Sequence, residues 1–360
     1  MLHALILAAG ALASPCQTPA PLLVPFVETR FATLNLASAG EIQRAKEGAG
    51  CILLAPSGPQ LEREARFTTR PFTPAHPFRD LLVSWNVNVP KAAGFCVELR
   101  VARVSGEWSS WLWVGDWGTV PDVERVLETE GGKVDTDFFR GQTTFIAAEV
   151  RVRAWSTGNA RGGELSLDKL TLCFSDRERR VEPRPIEPGP KAFRLPVPTR
   201  SQRAEAPQIA DRICSPTSLA MVMAYRGASH PTADIAARAF DARHDIYGNW
   251  PRNVQAAYTY GVPGYITRIA SWSEAEELIR ARQPIIASIA VKIGELPGAP
   301  YAQSAGHLLV ITGFDAADGV QVNDPAASDP EPGRLVYKRA DLERCWLERG
   351  GTAYILEARP

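Results

Sequence analysis

The sequence predicts two domains in series, an all-β amino-terminal half and an α+β carboxy-terminal half. Three observations carry this. A length of 360 residues suits two domains of ordinary size. The stretch from Arg177 to Arg203 gathers Pro183, Pro185, Pro188, Pro190, Pro196 and Pro198 among charged residues, the composition of an extended, semi-rigid connector with no core of its own. The hydrophobic period also changes across that stretch. Before it apolar residues alternate; after it come helices first and strands later. The chain therefore divides into 14–181, a connector at 182–201, and 202–360.

Apolar residues make up 45% of the chain and charged residues 22%, as in a soluble globular protein. The formal net charge is +0, so nothing global points to nucleic acid or to an anionic membrane. No apolar run is long enough for a transmembrane helix. The first thirteen residues form a short apolar stretch ending in Ala11-Leu12-Ala13, an A-x-A cleavage pattern, although the n-region offers only His3. Pro15, Pro19, Pro21 and Pro25 follow too closely for a buried first helix. Residues 1–13 thus read as a signal peptide, and the protein as exported to a periplasmic or extracellular space. Cys16 sits where a lipoprotein acceptor would, but Pro15 directly before it fits that role poorly. The six cysteines show no CxxC spacing, which argues against a zinc site. After export, Cys51, Cys96 and Cys173 are available for pairing, with connectivity open.

In the amino-terminal half, Val97, Leu99 and Val101 alternate with Glu98 and Arg100, and Val150, Val152 and Ala154 with Glu149, Arg151 and Arg153. Leu165 and Leu167 continue the pattern toward Leu170 and Leu172. Period-two alternation marks strands with one buried face, and an antiparallel, jelly-roll-like β-sandwich follows. Helical signal is sparse. It is confined to Ser38–Ala45, with Ser38 and Glu41 at capping-box spacing, and to Asp122–Leu127. Trp85, Trp108, Trp111, Trp113, Trp117 and Trp155 all lie in this half. They read either as core packing or as a stacking platform for a sugar or peptide. The half is then a substrate-binding domain, with carbohydrate contact among its uses, or a spacer.

After the connector, Ser215–Tyr225 reads as a helix with Leu219, Val222 and Met223 inward. Thr232 reads as the cap of a helix through Phe240, Pro251 as the N1 residue of a helix closed by Gly261, and Ser273 with Glu276 as the capping box of a helix through Ala281. Strands are expected at Pro284–Val291, His307–Phe314, Val320–Asn323 and Leu335–Tyr337. A short helix at Ala340–Leu347 and a closing strand at Ala353–Leu356 complete the half.

The chemistry centres on Cys214, which opens the first helix in Arg-Ile-Cys-Ser-Pro-Thr-Ser-Leu-Ala-Met. Pro216 is tolerated only in a first helical turn and so pins that start. A thiol there faces unsatisfied N–H groups and the positive end of the helix dipole, both of which favour thiolate. Alone, such a cysteine would read as structural. His307 changes that reading, because it opens an apolar strand directly after Gly306, which permits close backbone approach. Asp324 ends the next strand, before Pro325, and consecutive strands usually neighbour one another. A carboxylate beside the imidazole would hold its tautomer, and Asn323 is the alternative for that role. Gln208, six positions before Cys214, is placed to donate to a tetrahedral oxyanion together with the Cys214 N–H.

In their order and spacing, Gln208–Cys214, Gly306–His307 and Asp324–Pro325 resemble the C39-like peptidases, a branch of the papain-like cysteine peptidases. Tyr247-Gly248-Asn249-Trp250-Pro251 also resembles a stretch of the exported bacterial branch. The resemblance covers about Gln202 to Leu356. Ser84-Trp85-Asn86 and Trp108-Ser109-Ser110-Trp111 resemble, more weakly, the β-sandwich accompanying some exported members. The resemblance implies an α+β papain-like fold, with Cys214 as nucleophile, His307 as base, Asp324 as orienting acid and Gln208 as oxyanion donor. It also implies a substrate cleft bordered by Ser215, Tyr247, Trp250 and Gly306, and no metal or organic cofactor. Ile213-Cys214-Ser215 departs from the common Asp-Cys-Gly. No Walker A motif is present, so the leader-peptidase role of transporter-fused members does not carry over. The expected reaction is hydrolysis of peptide or amide bonds in proteins or peptidoglycan peptides. Acyl transfer to an amine uses the same residues. An inactive binding protein is the third class, opposed by the intact Gln208, Cys214 and His307.

Overall fold

A computed structural model describes residues 23–31, 36–40, 42–44, 52–54, 64–91, 93–156, 165–185, 192–328 and 333–358. The expected signal peptide, Cys16 and Cys51 lie outside them. The architecture is two-domain and mostly β. The amino-terminal strands are β1 (Val24–Phe31), β2 (Leu36–Gly40), β3 (Ile42–Arg44), β4 (Ile52–Leu54), β5 (Glu64–Thr69), β6 (Phe78–Asn88), β7 (Ala93–Arg103), β8 (Leu112–Gly118), β9 (Glu128–Thr129), β10 (Gly132–Asp135), β11 (Phe138–Ser156) and β12 (Leu165–Val181). They form one hydrogen-bonded antiparallel system with the path β2-β5-β11-β6-β12-β4-β3, to which β1, β7, β8, β9 and β10 attach.

The alternation read in the sequence occurs in β7 and β11, but their polar residues are not free to solvent. Glu98 and Glu149 are buried, and Arg151 and Arg100 donate to them at 2.6 Å each. Ion pairing with hydrogen bonds is what makes such burial tolerable. The two helices expected in this half do not form. The described residues of Ser38–Ala45, 38–40 and 42–44, fall on β2 and β3, and Asp122–Leu127 is irregular chain. A local capping pattern was outweighed by pairing with β5 and β4. Cys96 and Cys173 are buried free thiols and do not pair with each other.

The second half comprises β13 (Phe193–Arg194), α1 (Pro207–Ala210), α2 (Cys214–Tyr225), α3 (Thr232–Ala239), α4 (Trp250–Thr259), β14 (Gly264–Arg268), α5 (Trp272–Arg280), β15 (Ile285–Val291), β16 (Ser304–Phe314), β17 (Gly319–Asn323), β18 (Arg334–Lys338), α6 (Arg339–Cys345) and β19 (Thr352–Leu356). Its antiparallel sheet runs β14-β19-β15-β16-β17-β18. The end of the expected connector contributes β13, which pairs with Gly313 and Phe314. Gly313 is required there, since a Cβ would lie 2.1 Å from the Phe193 carbonyl oxygen.

The helices stand where hydrophobic periodicity places them, but three caps differ. Pro231, not Thr232, precedes α3, and it offers no side-chain cap. Asn249 caps α4 by accepting from Arg252 N, so Pro251 sits one residue beyond the first helical position. Ser271 caps α5 by accepting from Glu274 N at 3.3 Å, displacing the Ser273–Glu276 pair.

The halves are docked rather than strung. α4 and β14 pack against β6. The buried Gln255 side chain extends the backbone ladder across the junction, donating from Nε2 to Val87 O at 2.7 Å and accepting from Val87 N at 3.0 Å. Asn86 Oδ1 accepts from Gly264 N, Ser84 Oγ accepts from Ile266 N, and the buried Arg268 donates to Asp80 at 3.0 Å. Gln255→Leu strands two buried backbone groups at about 1–3 kcal/mol each. A loss of about 2–5 kcal/mol in urea unfolding is expected, and an unchanged midpoint would show that the ladder is dispensable.

Candidate active site

Cys214 is the first residue of α2, and its N-cap, Ile213, provides no side-chain cap. α2 is buried from Ser215 to Met223 and lies against β16, where Ser218 Oγ donates to Leu308 O at 3.0 Å. That contact sets the start of α2 beside the start of β16, which carries His307. β17 pairs with β16 through Val310 and Asn323, so the residue just past β17, Asp324, comes alongside His307.

The structure brings these three side chains together. His307 Nε2 and Asp324 Oδ1 are 2.8 Å apart, with His307 5% and Asp324 1% exposed. The imidazole also hydrogen-bonds the half-buried Cys214 thiol, for which Nδ1 is the remaining ring nitrogen. Asn323 does not compete for His307. It is buried, and its Nδ2 donates to Val197 O at 3.0 Å.

The electrostatics follow from this packing. Burial pushes the Cys214 thiol up, but the hydrogen bond and charge of His307, with the backbone N–H groups of Leu308 and Ser215, outweigh it and bring the thiol below its ordinary value. Burial pulls His307 down, yet the Asp324 charge and hydrogen bond, followed by those of Cys214, raise it to about 10. Burial raises Asp324, and the His307 charge and hydrogen bond, the Ala326 N–H and Tyr301 hold it below the usual carboxylate range. These directions favour a thiolate–imidazolium pair.

The remaining expected site residues fare differently. Gln208 is exposed on α1 and is not brought to the group. The buried amide upstream of Cys214 is instead Gln202, in a single 3-10 turn (Gln202–Ala204). Gln202 is 3% exposed, its N–H donates to Pro325 O at 2.8 Å, its Nε2 donates to Ala210 O at 2.8 Å, and its Oε1 has no partner. Reading missed it because α1 lengthens the path to Cys214. The signal available was Ser201-Gln202, four and five residues after the apolar Val197.

Ser215 is fully buried with its hydroxyl 3.1 Å from Tyr354 OH, so it lines no cleft. Trp250 stacks on Phe138 at 5.5 Å and donates its backbone N–H to Asp137 Oδ2, so its contacts serve the junction between the halves. The Tyr247 ring packs against Phe240 at 4.8 Å, beneath the Arg212 guanidinium. Gly306 is exposed, and a Cβ there would meet no atom within 4 Å, so open space rather than chain adjoins it.

Among the tryptophans, Trp85, Trp113, Trp117 and Trp155 are buried. Trp108 and Trp111 are half-buried beneath Arg100, at 4.9 and 4.8 Å, and Arg151 also covers Trp111 at 4.4 Å. Guanidinium groups therefore take ring faces that a stacked sugar would need. Among the described residues no group of three or more His, Cys, Asp or Glu side chains could hold a metal ion, and no helix is long and apolar enough to cross a membrane.

Comparison with known proteins gives a consistent family. Residues 194–354 match the Peptidase_C39 like family, and residues 57–172 match the Peptidase C39 N-terminal domain. No curated protein matches the chain. Among solved structures, a C39-like peptidase from Bacillus anthracis is 19% identical, with 47% of this chain and 99% of that one covered at a TM-score of 0.36. A double glycine motif protease from an AMS/PCAT transporter, in complex with its leader peptide, is 23% identical over 46% of this chain and 94% of that one, at 0.32. The peptidase domain of Streptococcus ComA is 18% identical over 42% and 95%, at 0.29. Residues 194–354 therefore belong to the C39-like cysteine peptidases, and residues 57–172 form the amino-terminal domain that goes with that peptidase.

Proposed function

We propose that the protein hydrolyses peptide bonds through a Cys214–His307–Asp324 triad and a thioester acyl-enzyme, on a papain-like α+β domain braced by an amino-terminal β-sandwich. One observation carries the reading: a buried imidazole is hydrogen-bonded to a helix-start thiol on one side and to a carboxylate on the other. The Cys214 thiolate attacks the scissile carbonyl carbon and the carbonyl oxygen becomes an oxyanion. The Cys214 N–H, at the uncapped start of α2, and the Gln202 side-chain amide are the donors for that charge. Collapse expels the amine, which takes a proton from the His307 imidazolium. Neutral His307 then removes a proton from water as it attacks the thioester, and the acid leaves as the thiolate is restored. Asp324 holds the Nε2–H and the ring orientation throughout. The open space at Gly306 fits an extended peptide approaching beside His307. The apolar start ending in Ala11-Leu12-Ala13 supports export, which would place proteins or peptidoglycan peptides within reach as substrates.

Incubation of the protein with a mixed peptide library, with new amino termini identified by mass spectrometry, tests the reaction. No new termini, or termini that persist in Cys214→Ala, would remove it. On a substrate so found, Gln202→Ala is expected to lower kcat about ten- to a thousandfold with little change in KM. Gln208→Ala is expected to leave both parameters unchanged. The opposite order would return the oxyanion role to Gln208.

A further inference from the structure

Asp324 is more fully tethered than an orienting carboxylate requires. Oδ1 accepts from His307 Nε2 and from Ala326 N, at 2.8 and 2.9 Å. Oδ2 accepts from two phenols, Tyr301 OH at 3.0 Å and Tyr337 OH at 3.1 Å. A carboxylate offers about four lone-pair sites, and here all four are filled. The phenols come from different parts of the chain. Tyr337 is buried on β18, whereas half-buried Tyr301 lies in the 292–303 segment between β15 and β16. The Tyr301 ring also lies over the imidazole, with centroids 4.6 Å apart and planes 56° apart. The segment carrying it is held by its own contacts: Glu295 Oε2 accepts from Lys292 N and from Arg349, and Leu296 is buried.

We propose that Tyr301 and Tyr337 are positioning residues that lock Asp324 toward His307 and, by drawing charge onto Oδ2, limit how tightly Asp324 holds the His307 proton. This rests on the triad reading above. Rotation of the carboxylate would break two phenol bonds at once, so the acceptor for His307 is fixed. Hydrogen bonds to the charged form stabilise it and make it a weaker base toward its neighbour. Burial and the Asp324 charge raise both phenols well above their ordinary values, so they remain donors wherever the triad works. Other titratable groups among the described residues also reach this site. Cys214 of α2 faces His307, Cys345 of α6 lies within electrostatic reach of Tyr337, and Tyr354 of β19 within reach of Cys214. A general base too strongly paired keeps its proton when the leaving amine needs it, so moderating Asp324 favours turnover.

The test is the pH dependence of Cys214 carboxymethylation by iodoacetate, an anionic reagent whose rate follows the thiolate–imidazolium pair. Wild type is compared with Tyr301→Phe, Tyr337→Phe and the double variant. Phenylalanine keeps the ring and its packing and removes only the donor. The alkaline limb, which reports loss of the His307 proton, is expected to move up by about one pH unit in the double variant and by less in each single. A role in packing alone would lower thermal stability without moving that limb. A wild-type bell with an unmoved limb in folded variants overturns this proposal, and if the double variant does not fold, Tyr301→Phe alone decides it. A wild type with no bell overturns the triad reading instead.

Discussion

His307→Ala is expected to abolish turnover, with kcat/KM falling about ten-thousandfold or more. The substitution removes the side chain whose hydrogen bond and charge bring the Cys214 thiol down, and leaves burial to push it up. It also removes the proton that the leaving amine requires. Both losses act on the same step, so Cys214→Ala is expected to cost about as much, and the double variant little more than either single. Stopped assays on a peptide substrate measure this. A His307→Ala enzyme within tenfold of wild type would mean that another group serves as base. The substitution also leaves the buried Asp324 carboxylate without its cationic partner, with only Ala326 N, Tyr301 and Tyr337 as donors, at a typical cost of about 3–5 kcal/mol, so urea unfolding is measured beside the assay.

Asp324→Ala is expected to reduce kcat by about a thousandfold and to destabilise the fold as well. The side chain is 1% exposed and accepts from His307, Ala326 N, Tyr301 and Tyr337. Removing it strands the two phenols and frees the imidazole to turn. Breaking a buried ion pair by deleting one partner typically costs about 3–5 kcal/mol. Asp324→Asn is expected to be milder in both respects. An amide oxygen still accepts from His307 Nε2, and its NH2 can donate to phenol oxygens once these rotate to accept. Urea unfolding beside kcat separates the two effects. Equal losses for Ala and Asn would show that charge, not orientation, is what Asp324 supplies.

Much of this site was legible in the chain. Pro216 allowed one place for the start of α2, and the apolar runs from His307 and from Val320 announced neighbouring strands whose facing ends meet at His307 and Asp324. What escaped was set by tertiary contact. β14 carries no strong alternation and exists because it closes on β19 and leans on β6. β13 hides among prolines, and its partner is the distant Gly313. Gln208 stood at the expected spacing, but a spacing in sequence becomes a distance only if the path is known. The turn at Gln202 and helix α1 reroute that path, exposing Gln208 and burying Gln202. The tryptophans could be read as platform or core because an aromatic stripe does not reveal what lies over it. The arginines over Trp108 and Trp111 come from β7 and β11. The same pairing explains why Glu98 and Glu149, polar at alternate positions, are buried.

The most direct test of the account is the rate at which iodoacetamide modifies Cys214 at about pH 6, read peptide by peptide beside Cys96, Cys173 and Cys345. At that pH an ordinary thiol is about three parts in a thousand ionised, whereas a thiol paired with His307 is largely thiolate. The account predicts modification of Cys214 at least about a hundredfold faster than of an unactivated thiol, with the advantage lost in His307→Ala. A Cys214 that reacts at the ordinary rate, or equally fast without His307, would contradict it.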